Sequence, residues 1–571
     1  MYPIKLFTIL WIILLLVFGI SANTPKMLCY SIQPNDYVND HAEEIAEMFD
    51  GFFYIVGSWD SGVTQRLGLD GVKAKDLNWM KDTRKNIRAL KKAGATENLL
   101  GVSFGQTEEW PSSETLLSEK FTQKMVNHFG RIAEAAKELG FRGLSIDVEY
   151  PYHRYQIDNE IYTYDNYTIN DLLKAANRQG RAIIAAVLEK FPQAVIMCLP
   201  GYLRSRPISQ AFQLGMLEMM AEQDAVGGFH LGTEFTYALS DPLTYLATTI
   251  SERCGIHLLT NDNVLSYWQK RCTMAPGVWP LHMVETGSNQ YVMQPWKDEI
   301  KDLEEQMRIL RTVSDKYIWS FTGNPIWYEW SEEVEAKYGL KKQTFKQDDI
   351  NIKDWQNILR KKEKLKENNK WYKTINALKD YKQGNINEDI LCDRFGTPSK
   401  WWLLGMLGNP HSQPQFAADG ACFDEIDRKK VYFGRDQVVH WTEFDNMDPR
   451  GMISLLKPFR WFNTDNSSAQ LVSFIHADKE YDALIHVGWD DGIIVYIDGK
   501  VVFDKRNYPK RGKGLYYLDR YHFEKVLPIK IKKGRSRLSV VSINSHGKWI
   551  YSLRITDKNG LPINGLHFDL K

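Results

Sequence analysis

With 571 residues the chain exceeds what one ordinary hydrophobic core holds, so two or more domains are expected. Its 72 Lys and Arg stand against 71 Asp and Glu. That balance excludes a global basic field that would draw nucleic acid, and it excludes the acidic excess of a disordered solvating chain.

The N-terminus, "MYPIKLFTILWIILLLVFGISANTP", has one Lys, an uncharged apolar run from Leu6 to about Ile20, and small residues at Ser21 and Ala22. This is the three-part pattern of a secretory signal peptide over residues 1–22, an uncleaved anchor being the alternative. The mature protein is then expected to be secreted or periplasmic, with no membrane contact after cleavage. Six cysteines follow, none in a metal-binding spacing. Cys254 and Cys272 bracket a loop-like segment that one disulfide would close, whereas Cys29 and Cys198 fall in apolar strands and read as buried thiols.

Over residues 23–335, short β-forming runs alternate with longer amphipathic segments, the pattern of parallel strands joined by crossover helices. The strand candidates are "KMLCYSI", "GFFYIVGSW", "LLGVSFG", "GLSIDVEY", "AVIMCLPGY", "GGFHLGTEF", "VWPLHMVE" and "YIWSFTG". Helical runs such as "SEKFTQKMVNHFGRIAEAAKELG" separate them, ending in Gly or aromatic–Pro punctuation. Eight such units over this length predict an α/β fold, a (β/α)8 TIM barrel, and no GxGxxG follows the first strand to favour an open doubly wound sheet.

Active sites of this fold lie at the C-terminal strand ends. Those ends carry Trp59, then Glu108, Glu109 and Trp110, then Asp147, Glu149 and Tyr150. Tyr202, Arg204, His230, Glu234, Glu285, Trp319, Asn324 and Trp327 follow. Residues 336–395 are Lys-rich and read as a solvated helical connector. From 396 to 571, alternating runs such as "AQLVSFIHA" and "GIIVYIDGKVVF" predict an all-β jelly-roll sandwich, with hairpin corners at "WDDGI", "IDGK" and "KKGRS".

The chemistry concentrates in "GFRGLSIDVEYP", residues 140–151. Side chains two apart on a strand share a face, so Ser145, Asp147 and Glu149 form a polar column on the barrel's inner wall. Two carboxylates this close in a partly dry site cannot both ionise freely. One pKa rises, and that group becomes a general acid suited to protonating a glycosidic oxygen. The alternative is that these acids cap helices or pair with Arg142.

"FRGLSIDVEYP" resembles the fourth-strand motif of chitinase-type, family-18 glycoside hydrolases. The resemblance implies Glu149 as general acid, Asp147 as the acid that orients a substrate acetamido group, and Tyr150 as a wall of the sugar site. Arg142 and Ser145 stand where that family has two further acids, and "GTEFTY" replaces its Met-x-Tyr-Asp pattern. A second resemblance, to the clan of retaining (β/α)8 glycosidases, implies Glu149 as acid/base and Glu285 as nucleophile, although Val148 stands where that clan has Asn. Glu234 is a third candidate partner, and for Glu234 and Glu285 an inner hydrogen-bonding role is the competing reading.

Aromatic rings stack on the C–H faces of sugars, which makes Trp59, Trp319 and Trp327 candidate platforms, with His230 as a polar contact. Residues 396–571 resemble the galactose-binding-like sandwiches of secreted bacterial glycosidases. That resemblance implies an accessory domain that binds glycan or braces the barrel; Asp490 and Asp491 shape a turn or hold a structural Ca2+. The sequence therefore leads to a secreted, cofactor-free glycoside hydrolase acting on a poly- or oligosaccharide, retention being favoured over inversion. A non-catalytic carbohydrate-binding barrel is the alternative.

Overall fold

The computed structural model describes residues 24–55, 79–103, 116–148, 168–199, 201, 207–234, 236–237, 261–286, 299–346, 350–408, 425–435, 438–446, 448–455, 458–459, 464–506, 525–545 and 549–571. The signal-peptide expectation lies outside them.

Eight parallel strands close into a barrel in sequence order: β1 (Lys26–Ile32), β2 (Gly51–Tyr54), β3 (Leu99–Ser103), β4 (Gly143–Asp147), β5 (Val195–Leu199), β6 (Phe229–Thr233), β7 (Thr273–Val278) and β8 (Tyr317–Phe321). The helices around them are α1 (Asp36–Asp40), α2 (Ala42–Met48), α3 (Trp79–Lys92), α4 (Glu119–Leu139), α5 (Ile169–Lys190), α6 (Pro207–Glu222), α7 (Asp262–Arg271), α8 (His282–Thr286) and α9 (Glu299–Val313). Their ends obey local chemistry. Ser118 caps α4 by accepting from Phe121 N, and Gly140, in the left-handed conformation at φ 85°, ends it. Thr168 and Asp171 form a reciprocal capping box on α5.

Alternation along each strand divides the residues between two cores. Leu28, Tyr30, Phe53, Leu99, Val195, Met197, Leu199, Ala275, Tyr317 and Trp319 fill the barrel interior. Their neighbours, among them Cys29, Leu144, Ile146, Cys198 and Leu231, face the helices. Both faces are buried, so the strands read as nearly continuous apolar runs. Inside, large aromatics meet small residues. A Cβ on Gly277 would lie 2.6 Å from Tyr237 Cε1 and 3.0 Å from Trp319 Cε2.

The seventh strand departs from the sequence expectation. "VWPLHMVE" is not the strand: β7 is "TMAPGV", and His282–Thr286 is helical. Pro276 and Gly277 look like strand breakers, yet pairing with β8 spans only Gly277 and Val278, so the missing Pro276 N–H costs that ladder nothing. The bridge between Cys254 and Cys272 is also corrected, because Cys272 is a free thiol, buried, with its pKa pushed up to about 12 mainly by that burial. Cys29 and Cys198 are buried free thiols, as expected.

Residues 332–394 form α10 (Glu332–Tyr338), α11 (Ile352–Arg360), α12 (Tyr372–Lys382) and α13 (Glu388–Arg394). The solvated reading of this stretch misses its buried face. Trp355, Ile358, Leu359, Trp371, Ile375 and Leu378 belong to the outer core of the barrel. Arg311 of α9, itself buried, donates to Ile358 O and Leu359 O at 3.2 Å, satisfying two carbonyls at the C-terminal end of α11.

The C-terminal part is a two-sheet sandwich, with β10 (Tyr432–Phe433) and β11 (Val438–Val439) as a separate antiparallel pair. One sheet runs β12 (Thr442–Asp445), β9 (Lys400–Gly408), β14 (Ser467–Ala477), β19 (Gly534–Asn544), β16 (Gly492–Ile497), β17 (Lys500–Lys505), with β21 (Leu566–Asp569) also on β14. The other runs β13 (Met452–Ser454), β20 (Ile550–Asp557), β15 (Tyr481–Trp489), β18 (Lys525–Ile531). Leu471, Val495 and Val540 of the first meet Ile485, Val487 and Leu553 of the second in one core. Of the three expected hairpin corners only "IDGK" is one, with Asp498 at φ 49° and Gly499 at φ 77°. "WDDGI" and "KKGRS" instead carry the chain from one sheet to the other.

Asp393 of α13 accepts from Phe568 N of β21 at 3.1 Å, and burial pushes its carboxyl up to about 7 from the ordinary 3.8. The native state therefore holds a proton that the unfolded chain has already released between about pH 4 and pH 7, so stability falls as pH rises through that window and levels off above it. Urea midpoints measured across this range should show that slope in the wild type and a flatter one in Asp393→Asn.

Candidate functional site

The C-terminal ends of the strands form a mouth that carries three of the four carboxylates singled out in the sequence. On β4, Leu144 and Ile146 face the helices, so Gly143, Ser145 and Asp147 face the barrel axis. Ser145 Oγ lies 3.5 Å from where a Cβ on Gly101 would stand. Asp147, the last residue of β4, pairs in register with Ser103 and Leu199 and is only 9% exposed. Cys198 behind it has its thiol held well above the ordinary range by burial and then by the Asp147 charge. Glu149, Tyr150 and Trp59 lie outside the described residues.

Glu234 is the first residue past β6, half-buried, and its carbonyl accepts Tyr237 N at 3.1 Å. Thr236 Oγ1 donates to Gly277 O at 2.6 Å, fixing this turn to β7. The turn brings the Tyr237 ring against Phe321, stacked at 5.5 Å, and edge-on to Trp319 at 5.2 Å. Trp279 meets Phe321 edge-on at 5.0 Å, and Tyr30 stands 5.9 Å from Phe321. Sequence reasoning missed these four rings. Period-two counting reaches Tyr30 from Leu28, Phe321 from Trp319 and Trp279 from Gly277, whereas Tyr237 sits in a turn that no strand period reaches.

Glu285, on α8, is saturated. Its carboxylate accepts from Trp279 Nε1 at 2.5 Å, Gly323 N at 3.0 Å, Asn324 N at 2.5 Å and Asn324 Nδ2 at 3.1 Å. Asn324 in turn bonds both backbone groups of Thr344. This network ties the loop after β8 to α8 and to the 340–346 segment. His282, buried on the same helix and edge-on to Trp279, is held down to about 4 by burial, so it stays neutral across the pH range of acid catalysis by a carboxyl.

The other sequence candidates lie elsewhere. His230 is the second residue of β6, at the opposite end of the barrel. Its Nδ1 is 2.9 Å from Thr273 Oγ1, its ring meets Tyr317 at 4.9 Å, and Lys316 Nζ is 3.5 Å from its Nε2. Burial above all holds its pKa well below the usual value. Trp319 is 1% exposed, donates to Ala275 O at 3.0 Å and forms the floor beneath the mouth. Trp327 belongs to the outer core, bonded to Ser31 O at 3.3 Å and packed on Tyr37 and Tyr328. Asp491 accepts from Ser545 N at 2.7 Å in the sandwich. Among the described residues, the His, Asp and Glu side chains close enough to share a metal ion are His476, His567 and Asp569, also in the sandwich and not at the mouth.

No protein-family model and no curated protein matches the sequence. Solved structures similar to it include a psychrophilic family-10 endo-β-1,4-xylanase, 10% identical, covering 52% of this chain and 86% of that one at a TM-score of 0.29. Old Yellow Enzyme from Pichia sp. is 11% identical over 52% and 79%, at 0.31. The spore cortex-lytic enzyme SleL of Bacillus cereus is 12% identical over 45% and 50%, at 0.24. The chemistry is therefore argued from the site itself.

Proposed function

We propose that the chain is a secreted glycoside hydrolase whose general acid is Glu149, with Asp147 as the carboxylate beside it. The observation that carries this reading is Asp147: a buried acid on the inward face at the C-terminal end of β4, in a mouth walled by Tyr30, Tyr237, Trp279 and Phe321. Core packing favours an aliphatic at such a position, and a buried carboxylate there raises the pKa of a second acid two residues along the chain. The ring of aromatics suits the C–H faces of a sugar. Hydrolysis of glycans by wild type and Glu149→Gln tests the assignment.

Glu285 then acts as a positioning residue, because four donors already occupy its oxygens, and Glu234 or Asp147 completes the acid pair. Glu285→Ala is expected to destabilise the protein by about 1–3 kcal/mol through the orphaned donors and to slow turnover by loosening the loop after β8. External azide, which restores turnover where a carboxylate nucleophile has been removed, should give no rescue. Azide rescue with formation of a glycosyl azide would instead make Glu285 the nucleophile.

A second reading is a carbohydrate-binding barrel without turnover. Ser145 favours it, since a hydroxyl occupies an inward position where chitinase-type enzymes carry an acid. Glycan binding by calorimetry without release of reducing ends is its signature.

A further inference from the structure

The antiparallel pairing of β14 with β21 sets His476 opposite His567 and Phe474 opposite Asp569. Ile475, Ala477, Leu566 and Phe568 point into the sandwich core, so His476, His567 and Asp569 emerge together on the other face of the sheet. The two imidazoles stack at 4.6 Å with their planes 10° apart. His476 Nε2 is 2.9 Å from Asp569 Oδ1, and one ligand atom from each of the three lies within 4.8 Å of the others.

We propose that His476, His567 and Asp569 form a binding site for a divalent transition-metal ion of the zinc class. Two imidazoles and a carboxylate are the donors that zinc, cobalt, nickel and copper accept, whereas calcium and magnesium take oxygen shells. Ligands of tetrahedral zinc stand roughly 3.3 Å apart, given metal–ligand bonds of about 2.0–2.2 Å. Rotation of the exposed His567 ring closes the remaining distance.

The backbone beneath is already fixed. Phe568 N is held by Asp393, Trp402 Nε1 donates to Leu570 O at 2.9 Å, and Lys571 N donates to Asp569 Oδ1 at 2.9 Å. Three ligands placed on two hydrogen-bonded strands lose little freedom on binding, which is the condition for a preorganised site. Arg535, the cation facing His476 from β19, lies over the Phe474 ring at 3.7 Å, which engages its charge. Three protein ligands leave a fourth position for water or for a donor from another molecule.

The test titrates the full chain, stripped with chelator, with Co2+ followed by its visible absorption, and with Zn2+ followed by calorimetry. One saturable equivalent is expected, with Zn2+ displacing Co2+ and a large excess of Ca2+ displacing neither. His567→Ala, a surface change, should melt with the wild type in chelator and weaken Co2+ binding by about 10-fold or more. His476→Ala and Asp569→Asn should weaken it similarly, while His567→Cys retains it. Absence of a saturable equivalent in the wild type, or unchanged affinity in His567→Ala and Asp569→Asn, overturns the proposal.

Discussion

Glu149→Gln is expected to lower hydrolysis of a natural glycan by about 10³-fold or more while leaving the thermal midpoint and the circular dichroism spectrum unchanged. Gln keeps the size and hydrogen-bonding shape of Glu but has no acidic proton for the departing oxygen. The loss should shrink on aryl glycosides whose leaving group departs as a stable phenolate, because those need little protonation. Asp147→Asn is expected to cost about 10²-fold and to shift the basic limb of the pH–rate profile, since the buried charge that raises its neighbour's pKa is gone. Unchanged hydrolysis in Glu149→Gln would sink the assignment of Glu149 as the acid, and a wild type that binds glycan and releases no reducing ends would sink the enzyme reading. A misfolded variant cannot mimic the expected loss, because the midpoint is read on the same sample.

The largest stability effect is expected in the sandwich, at Asp448. Its carboxylate accepts Arg450 Nε at 2.8 and 3.0 Å, Arg450 Nη2 at 2.6 Å and Arg450 N at 2.9 Å. The two side chains are only 6% and 3% exposed. Arg554 of β20, also buried, donates to Arg450 O at 3.4 Å, so a second cation stands against the same turn. Asp448→Ala removes that carboxylate from a buried guanidinium, and unfolding free energy should drop by about 3–5 kcal/mol. Replacing Asp448 and Arg450 together with Leu and Met should recover most of the loss, because both desolvation penalties then vanish. Denaturant unfolding of the three proteins, with the sandwich transition followed by tryptophan fluorescence, measures both numbers. A loss below about 1 kcal/mol in Asp448→Ala would mean that water reaches Arg450 and screens it.

The barrel was legible because its signal is local. Short β-forming runs, capped amphipathic helices and a count of eight units all follow from residues near one another in the chain. The strand lost to the reading was β7, where Pro276 and Gly277 carry a local penalty that the short pairing with β8 excuses. The connector was misread for a similar reason. Its lysines are conspicuous in the sequence, but Trp355, Leu359 and Trp371 are buried against helices distant in the chain.

At the site, the sequence put Ser145 and Asp147 on one face of a strand that it ran on through Glu149, since strand parity needs no tertiary information; that β4 ends at Asp147 came from the structure. It put Glu285 at the end of a seventh strand where the chain is instead the helix α8, and which donors meet that carboxylate was invisible to it. Trp279, Gly323 and Asn324 reach Glu285 because α8 turns back under the loop after β8, a closeness spanning about forty residues of chain. Tyr237 reached the aromatic wall by a turn, and His230 went to the far end of the barrel because β6 begins at Phe229. The pairing of His476 with His567 is the clearest division. The sequence supplied the two imidazoles 91 residues apart, and only the antiparallel register of β14 and β21 set them face to face. Parity along one strand is written in neighbouring residues; register between strands is decided by which cores they bury, and that is a property of the whole fold.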